Sequence, residues 1–174
     1  MLPPFESLPI VCERLICRLP RPKDLDELYA IFSEASARTY TPAKVAPTRD
    51  AIANWAKPDL QERTGRSGLV VTTKGSPGEP LGIVEIAFNG LSSDVHFLIR
   101  ESARGKGYMT EALSEIMRQN PEMGPFVAIV DAQNDPASKM LIKSGMKVRE
   151  VFKSYRTHPA LSPYPRDCIL YSTN

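Results

Sequence analysis

Apolar residues recur at two different spacings along this 174-residue chain, and the alternation between them predicts the elements. Strand-like runs fall at Val11 to Leu19, Leu69 to Thr73, Leu81 to Phe88, Val95 to Ile99, Phe126 to Val130, Val148 to Ser154 and Cys168 to Ser172. Helical spacing shows first in Leu25, Leu28, Tyr29 and Phe32, with Asp24 placed as an N-cap. A second helix is expected after Pro47, with Ile52 and Trp55 inward and a break or end at Pro58. The clearest helix carries Met109, Ala112, Leu113, Ile116 and Met117 on one face. A last one runs from about Pro136 to Ser144, with Gly145 as its C-terminal cap. Turn chemistry fills Lys74 to Pro80, and Asn89-Gly90 opens the loop before the Val95 strand. The order β-α-α-β-β-β-α-β-α-β-β predicts one mixed α/β sheet. With no repeat and no linker, residues 1–174 read as a single domain, with 1–10 as an N-terminal arm.

Composition adds little to that picture. Apolar content of 42% and charged content of 24% are ordinary for a globular domain of this size. A net charge of +2 points neither to nucleic acid nor to an acidic membrane surface. No apolar run approaches a membrane span, and Met1 to Glu6 lacks the pattern of a secretory signal. Cys12, Cys17 and Cys168 have no metal-type spacing and sit in apolar segments, so buried free thiols and a reducing, cytoplasmic setting are expected. No metal is expected. The 16 prolines fall between the periodic segments and read as stiff loop punctuation.

Candidate chemistry centres on Ile99 to Leu113. A strand ends, a short turn carries Gly105 and Gly107, and a helix begins. The glycines leave the helix start bare of side chains, so free backbone N–H groups and the helix dipole can meet a phosphate. Arg104 and Lys106 add positive charge. The stretch fails as a nucleoside-triphosphate loop, because Gly107 rather than Ser or Thr follows Lys106. It fails as a dinucleotide fingerprint, because Thr110 stands where the third Gly is required. Arg104-Gly105-Lys106-Gly107-Tyr108-Met109-Thr110-Glu111-Ala112 instead resembles the acetyl-CoA loop of the GCN5-related N-acetyltransferases (GNAT), and within them the RimJ/RimL-like branch. Glu111 also reads simply as a first-turn acid.

That resemblance implies a mixed, mostly antiparallel sheet of about seven strands flanked by about four helices. It implies acetyl-CoA as cosubstrate and direct acetyl transfer to a primary amine: a protein or peptide N-terminus, an amino acid or a small-molecule amine. A monomer or homodimer is expected. The cofactor would lie along Leu98, Ile99 and Arg100, the loop Arg104, Gly105, Lys106, Gly107, Tyr108 and Met109, and then Asn134 and Ser138. Val130 to Met146 is similar to the family's second stretch, and Asn134 also suits an N-cap before Pro136. The stretch departs from the family where hydroxyls are usual. Counting back from Gly145, Ala137 stands at the Ser position and Leu141 at the Tyr position, with Ser138 one place away. Those losses favour a second reading, a noncatalytic acyl-CoA-binding sensor or interaction module.

By the same resemblance, the backbone around Leu98 to Arg100 would bind the oxyanion. For the proton of the amine the candidates are Glu85, an acid in an apolar strand, and Asp94 and His96, two residues apart and so on one strand face. Each also reads as an ordinary strand or turn residue. The resemblance further implies that the segment Tyr155 to Arg166 borders the acceptor cleft, where Tyr155, His158 and Tyr164 read either as shaping it or as simple packing.

Overall fold

The computed structural model describes residues 5, 7–43, 45–57 and 65–174. Among the described residues eight strands form one sheet, in the order β1-β2-β3-β4-β5-β6-β8-β7. In chain order the elements are β1 (Ile10–Val11), β2 (Leu15–Arg18), α1 (Leu25–Ser33), α2 (Arg49–Trp55), β3 (Arg66–Thr73), β4 (Gly82–Phe88), β5 (Ser93–Ile99), α3 (Tyr108–Gln119), β6 (Phe126–Asp131), α4 (Asp135–Lys143), β7 (Lys147–Arg156) and β8 (Arg166–Ser172). These four α-helices of the described residues match the expected number, while the sheet has one strand more than expected. The extra strand comes from Val11 to Leu19, which is a hairpin rather than one strand. The polar pair Glu13-Arg14 turns the chain, and the Cys12 N–H closes the turn on the Leu15 carbonyl at 3.0 Å. The expected break at Pro58 lies outside the described residues, as do Met1 to Pro4 and Glu6 of the arm.

Strand alternation sorts the side chains onto two faces. Leu69, Val71, Val84, Ile86, Val95, Phe126 and Ala128 join the large core under α3 and α4, with Met109, Ala112, Leu113, Ile116 and Leu141. Val70 and Ile83 face the other way and meet Leu28 of α1 and Ile52 of α2. Cys12, Cys17 and Cys168 are free and buried. Thr48 caps α2 by accepting from the Ala51 N–H. Gly145, at φ +101°, ends α4 as expected, with the Met146 N–H returning to the Leu141 carbonyl.

Asp24 departs from its expected role. It stands just before α1 but makes no side-chain cap of that helix; its carboxylate serves the preceding 3-10 turn, Pro22–Asp24, instead. It is fully buried and forms two hydrogen bonds with Arg18, at 2.7 and 2.9 Å, while the Arg21 N–H donates to it at 2.7 Å. Burial raises its proton affinity, but the Arg18 guanidinium and the Arg21 amide outweigh that and hold the carboxyl below the usual value. The pair ties the end of β2 to the start of α1, and so fixes the helix that leads toward the cleft.

The parallel junction between β5 and β6 shapes that cleft. The two strands pair only at Ser93 with Phe126 and Asp94 with Val127. Beyond Asp94 they have no shared register, while β5 stays paired with β4 through Ile99. The sheet therefore opens into a wedge at the C-terminal ends of β5 and β6. Among the described residues no helix is long and apolar enough to cross a membrane, and no group of three His, Cys, Asp or Glu side chains comes together to hold a metal.

Candidate active site

The backbone inside the wedge follows from hydrogen-bond parity. The Ser93 N–H donates toward β6, to the Pro125 carbonyl, and the Arg100 N–H donates toward β4, to the Leu81 carbonyl. Alternation along β5 then turns the peptide groups of Phe97 and Ile99 into the gap, and those of Leu98 and Arg100 onto β4. Of the three residues expected to offer backbone there, Ile99 faces the opening. Phe97, absent from the expectation, joins it. The difference is one of parity, which the letters do not carry without a known partner strand.

Directly after β5 comes the glycine turn. Gly105 and Gly107 have φ of +73° and +75°, the left-handed region that glycine tolerates and other residues rarely adopt. Gly107 is the N-cap of α3, and the Glu111 N–H makes the first helical bond to its carbonyl at 3.0 Å. The N–H groups of Tyr108, Met109 and Thr110 are thus left over at the helix start. The Met109 side chain lies in the core and Tyr108 is half-buried, so the expected contribution of Met109 narrows to its backbone. The Arg104 guanidinium is turned back from the loop. It donates to the Ile99 carbonyl at 3.2 Å and to Ser36 Oγ at 2.8 Å. Lys106 is exposed beside the glycines.

What holds the turn in shape lies 92 residues upstream of Lys106. Arg14, in the β1–β2 hairpin, donates through its backbone N–H and Nε to the two oxygens of Glu111, both at 2.7 Å. Its Nη1 donates to the Lys106 carbonyl at 3.0 Å, and its guanidinium lies over the Tyr108 ring at 4.8 Å. Glu111 is therefore an anchor as well as a first-turn acid. Nothing local in the sequence marks Arg14 as its partner. Exposed ion pairs couple weakly, so Arg14→Ala is expected to weaken acetyl-CoA binding only about threefold, with an unchanged helical circular-dichroism signal. Titration calorimetry reads the difference.

On the far side of the wedge, Asn134 caps α4 by accepting from the Ala137 N–H at 3.3 Å. Ala137 and Leu141 are both buried, and Leu141 sits in the main core. Neither position offers a hydroxyl. Ser138 does: its Oγ is buried and has no hydrogen-bond partner among the described residues. A buried hydroxyl left unpaired costs free energy.

The proton-accepting candidates share one face, opposite α3 and α4. His96 stands directly across from Glu85, and Asp94 across from Ala87. Both Glu85 oxygens are occupied, by Trp55 Nε1 at 2.7 Å and Arg66 Nη1 at 2.8 Å. Asp94 and His96 are exposed. Segment 34–41, between α1 and α2, runs over the open end of the wedge as a strap. Glu34 accepts from the Glu101 N–H at 2.9 Å, Ser36 meets Arg104, and the Tyr40 hydroxyl donates to the Gln133 carbonyl at 3.3 Å. The strap thus bridges the loop after β5 to the loop after β6. Of the aromatic loop residues expected at the cleft, Tyr164 is exposed, and Tyr155 stacks on Phe152 with centroids 4.8 Å apart. His158 differs from both: it is buried, at 2% exposure.

Residues 14–147 match the family model described as an acetyltransferase (GNAT) domain. Among curated proteins no sequence matches. Solved structures do. The chain is similar to an acetyltransferase of the GNAT family from Bacillus anthracis, at 20% identity and a TM-score of 0.79 over 95% of this chain and 97% of that one. It is similar to Mycobacterium smegmatis RimJ in complex with a CoA-disulfide, at 18% identity and 0.77 over 91% and 80%. It is also similar to spermidine N-acetyltransferase from Vibrio cholerae in complex with CoA and spermine, at 13% identity and 0.78 over 91% and 94%.

Proposed function

The chain belongs to the GNAT acetyltransferase family, and from that premise we propose that it transfers the acetyl group of acetyl-CoA directly to a primary amine. The observation that carries the reading is the pair of left-handed glycines, Gly105 and Gly107, before α3 at the mouth of the β5–β6 wedge. The bare helix start receives the pyrophosphate, with the exposed Lys106 adding positive charge beside it. The pantetheine arm runs into the wedge along the peptide groups of Phe97 and Ile99, toward Asn134 and the unpaired Ser138 hydroxyl. Strands that part in this way expose backbone donors that a continuous sheet would have consumed.

The thioester carbonyl then lies at the β5 edge, where a backbone N–H turned into the gap stabilises the oxyanion. The amine approaches from the opposite face of the sheet, where Asp94 and His96 are exposed and can take its proton directly or through water. Glu85, held by Trp55 and Arg66, orients that surface. The nitrogen adds to the carbonyl carbon, the tetrahedral adduct collapses, the carbon–sulfur bond breaks, and the thiolate leaves as free thiol after protonation. Ser138 or water supplies that proton. A thiolate whose thiol has a pKa near about 8.5 is a modest base, so a dedicated acid helps without being required.

For the acceptor we favour no class over the expected set of peptide N-termini, amino acids and small amines. The decisive experiment incubates the protein with acetyl-CoA and a panel of all three, and follows thiol release and product mass. Thiol release that depends on one class, with a product in which an acetyl group replaces one hydrogen of the amine, is the expected result. Acetyl-CoA bound without turnover on any amine would return the chain to the second reading, an acyl-CoA-binding module, which the hydroxyl-free Ala137 and Leu141 positions favour.

A further inference from the structure

His158 is a buried polar group that the transfer reaction leaves unused. It lies in the β7–β8 connection, below the strap, with neither ring nitrogen hydrogen-bonded among the described residues. Its Nε2 is 3.6 Å from Asp131 Oδ2 at the end of β6. On the strap side its ring meets Tyr40 edge-on, with centroids 6.4 Å apart and planes at 74°, and the Thr41 backbone lies close enough to favour its charged form. The Thr41 hydroxyl is also buried and unpaired among the described residues. Asp131 is itself fixed, accepting from Arg166 Nε at 2.5 Å, Arg166 Nη2 at 3.1 Å and the Gln133 N–H at 2.8 Å. One ring therefore sits between the strap and the rigid end of β6, on the face where Asp94 and His96 are exposed.

We propose that His158 is a positioning residue for the acceptor side of the wedge: it holds the Tyr40–Thr41 end of the strap against β6, and the strap lifts when that hold is lost. The role it serves rests on the acetyl-transfer reading; the hold itself does not. A neutral imidazole suits the closed strap because its apolar ring edge packs on Tyr40 while one N–H can be shared with Asp131 or Thr41. A charged ring does not. The groups facing it are Asp131 from β6, Arg166 from β8, Arg156 from β7 and Tyr40 from the strap. Burial pushes the imidazole below the usual histidine value, helped by Arg156 and Arg166, and outweighs the opposing pull of Asp131 and the Thr41 backbone. The proton is thus bound more tightly when the ring is released to water. Linkage then sets the sign: acidification below the ordinary histidine range favours the lifted strap.

Hydrogen exchange of the whole protein, followed at residues 36–41 from about pH 7 to about pH 5 and corrected for intrinsic rates, tests this without a substrate. Protection of the strap in the wild type is expected to fall about fivefold, the low end of coupling between linked sites. In His158→Phe, which keeps a ring against Tyr40 but cannot be protonated, it should not change with pH. In parallel, the acceptor KM counted on neutral amine should rise with acid in the wild type and stay flat in His158→Phe, at unchanged acetyl-CoA affinity. Wild-type protection independent of pH would overturn the proposal, as would the same pH dependence in His158→Phe. His158→Gln serves in the same way if the phenylalanine variant does not fold. A wild type that turns over no amine yet shows the protection change would sink the acetyl-transfer reading and leave the latch standing.

Discussion

Replacing Gly107 with Val is expected to weaken acetyl-CoA binding at least about tenfold, about 1.4 kcal/mol, while the fold survives. Gly107 sits at φ +75° and ψ +6°. A β-branched residue is a true outlier there, and holding a non-glycine residue in such a region costs on the order of 1–3 kcal/mol. The chain avoids that cost by rotating the peptide groups on either side, which are the groups that must point at the phosphates. Steric crowding adds little, since a Cβ at Gly107 would meet only the flexible end of Arg14, 3.5 Å away. A control separates backbone strain from loss of the cradle. Gly90 has φ +90°, a Cβ there would meet no atom within 4 Å, and it lies in the β4–β5 turn at the other end of β5. Gly90→Val should therefore lower the melting temperature much as Gly107→Val does, yet leave the calorimetric affinity unchanged. Equal affinities for wild type and Gly107→Val would remove the loop from the cofactor site.

That loop is readable in the sequence because its chemistry is local. Strand, glycines and amphipathic helix follow one another between Ile99 and Leu113, and each carries its own period or turn signal. The same holds for α4, where Asn134, Pro136 and Gly145 mark both ends. What the sequence hides depends on partners far away in the chain. Glu111 reads as a helix-dipole acid because Arg14 is 97 residues distant. Asp24 reads as an N-cap because its short side chain suits one, but Arg18 claims it. The β1–β2 hairpin reads as one strand because its polar interruption is only Glu13-Arg14. Leu98, Ile99 and Arg100 read as a group because parity along β5 is fixed only by which strand lies on each side. His158 reads as a loop aromatic near a cleft. Its burial beneath Tyr40 follows from the strap, which has no sequence pattern of its own.

Replacing Asp94 by Asn and His96 by Gln together is expected to lower kcat/KM by about a hundredfold, the lower end of what general acid–base groups contribute, with acetyl-CoA affinity unchanged. Both residues project from β5 on the face away from α3 and α4, Asp94 at the last pair that β5 makes with β6 and His96 two residues on, where the wedge has begun to open. Both are exposed, so an incoming ammonium can reach them. Glu85 shares the face but already accepts from Trp55 and Arg66. Glu85→Gln keeps an oxygen for Trp55 but gives up the charge and the acceptor that face the exposed Arg66, and its loss should stay below about tenfold, short of a general-base effect. The single variants divide the role between Asp94 and His96. The pH profile separates proton removal from simple binding. An α-amine with a pKa near about 8 becomes neutral without help as pH rises, so the deficit of the double variant should shrink above about pH 8. A deficit that stays constant would mean that the two side chains only bind the acceptor. No deficit at any pH would mean that water takes the proton, and that the family's reaction proceeds on this chain through the backbone of the wedge alone.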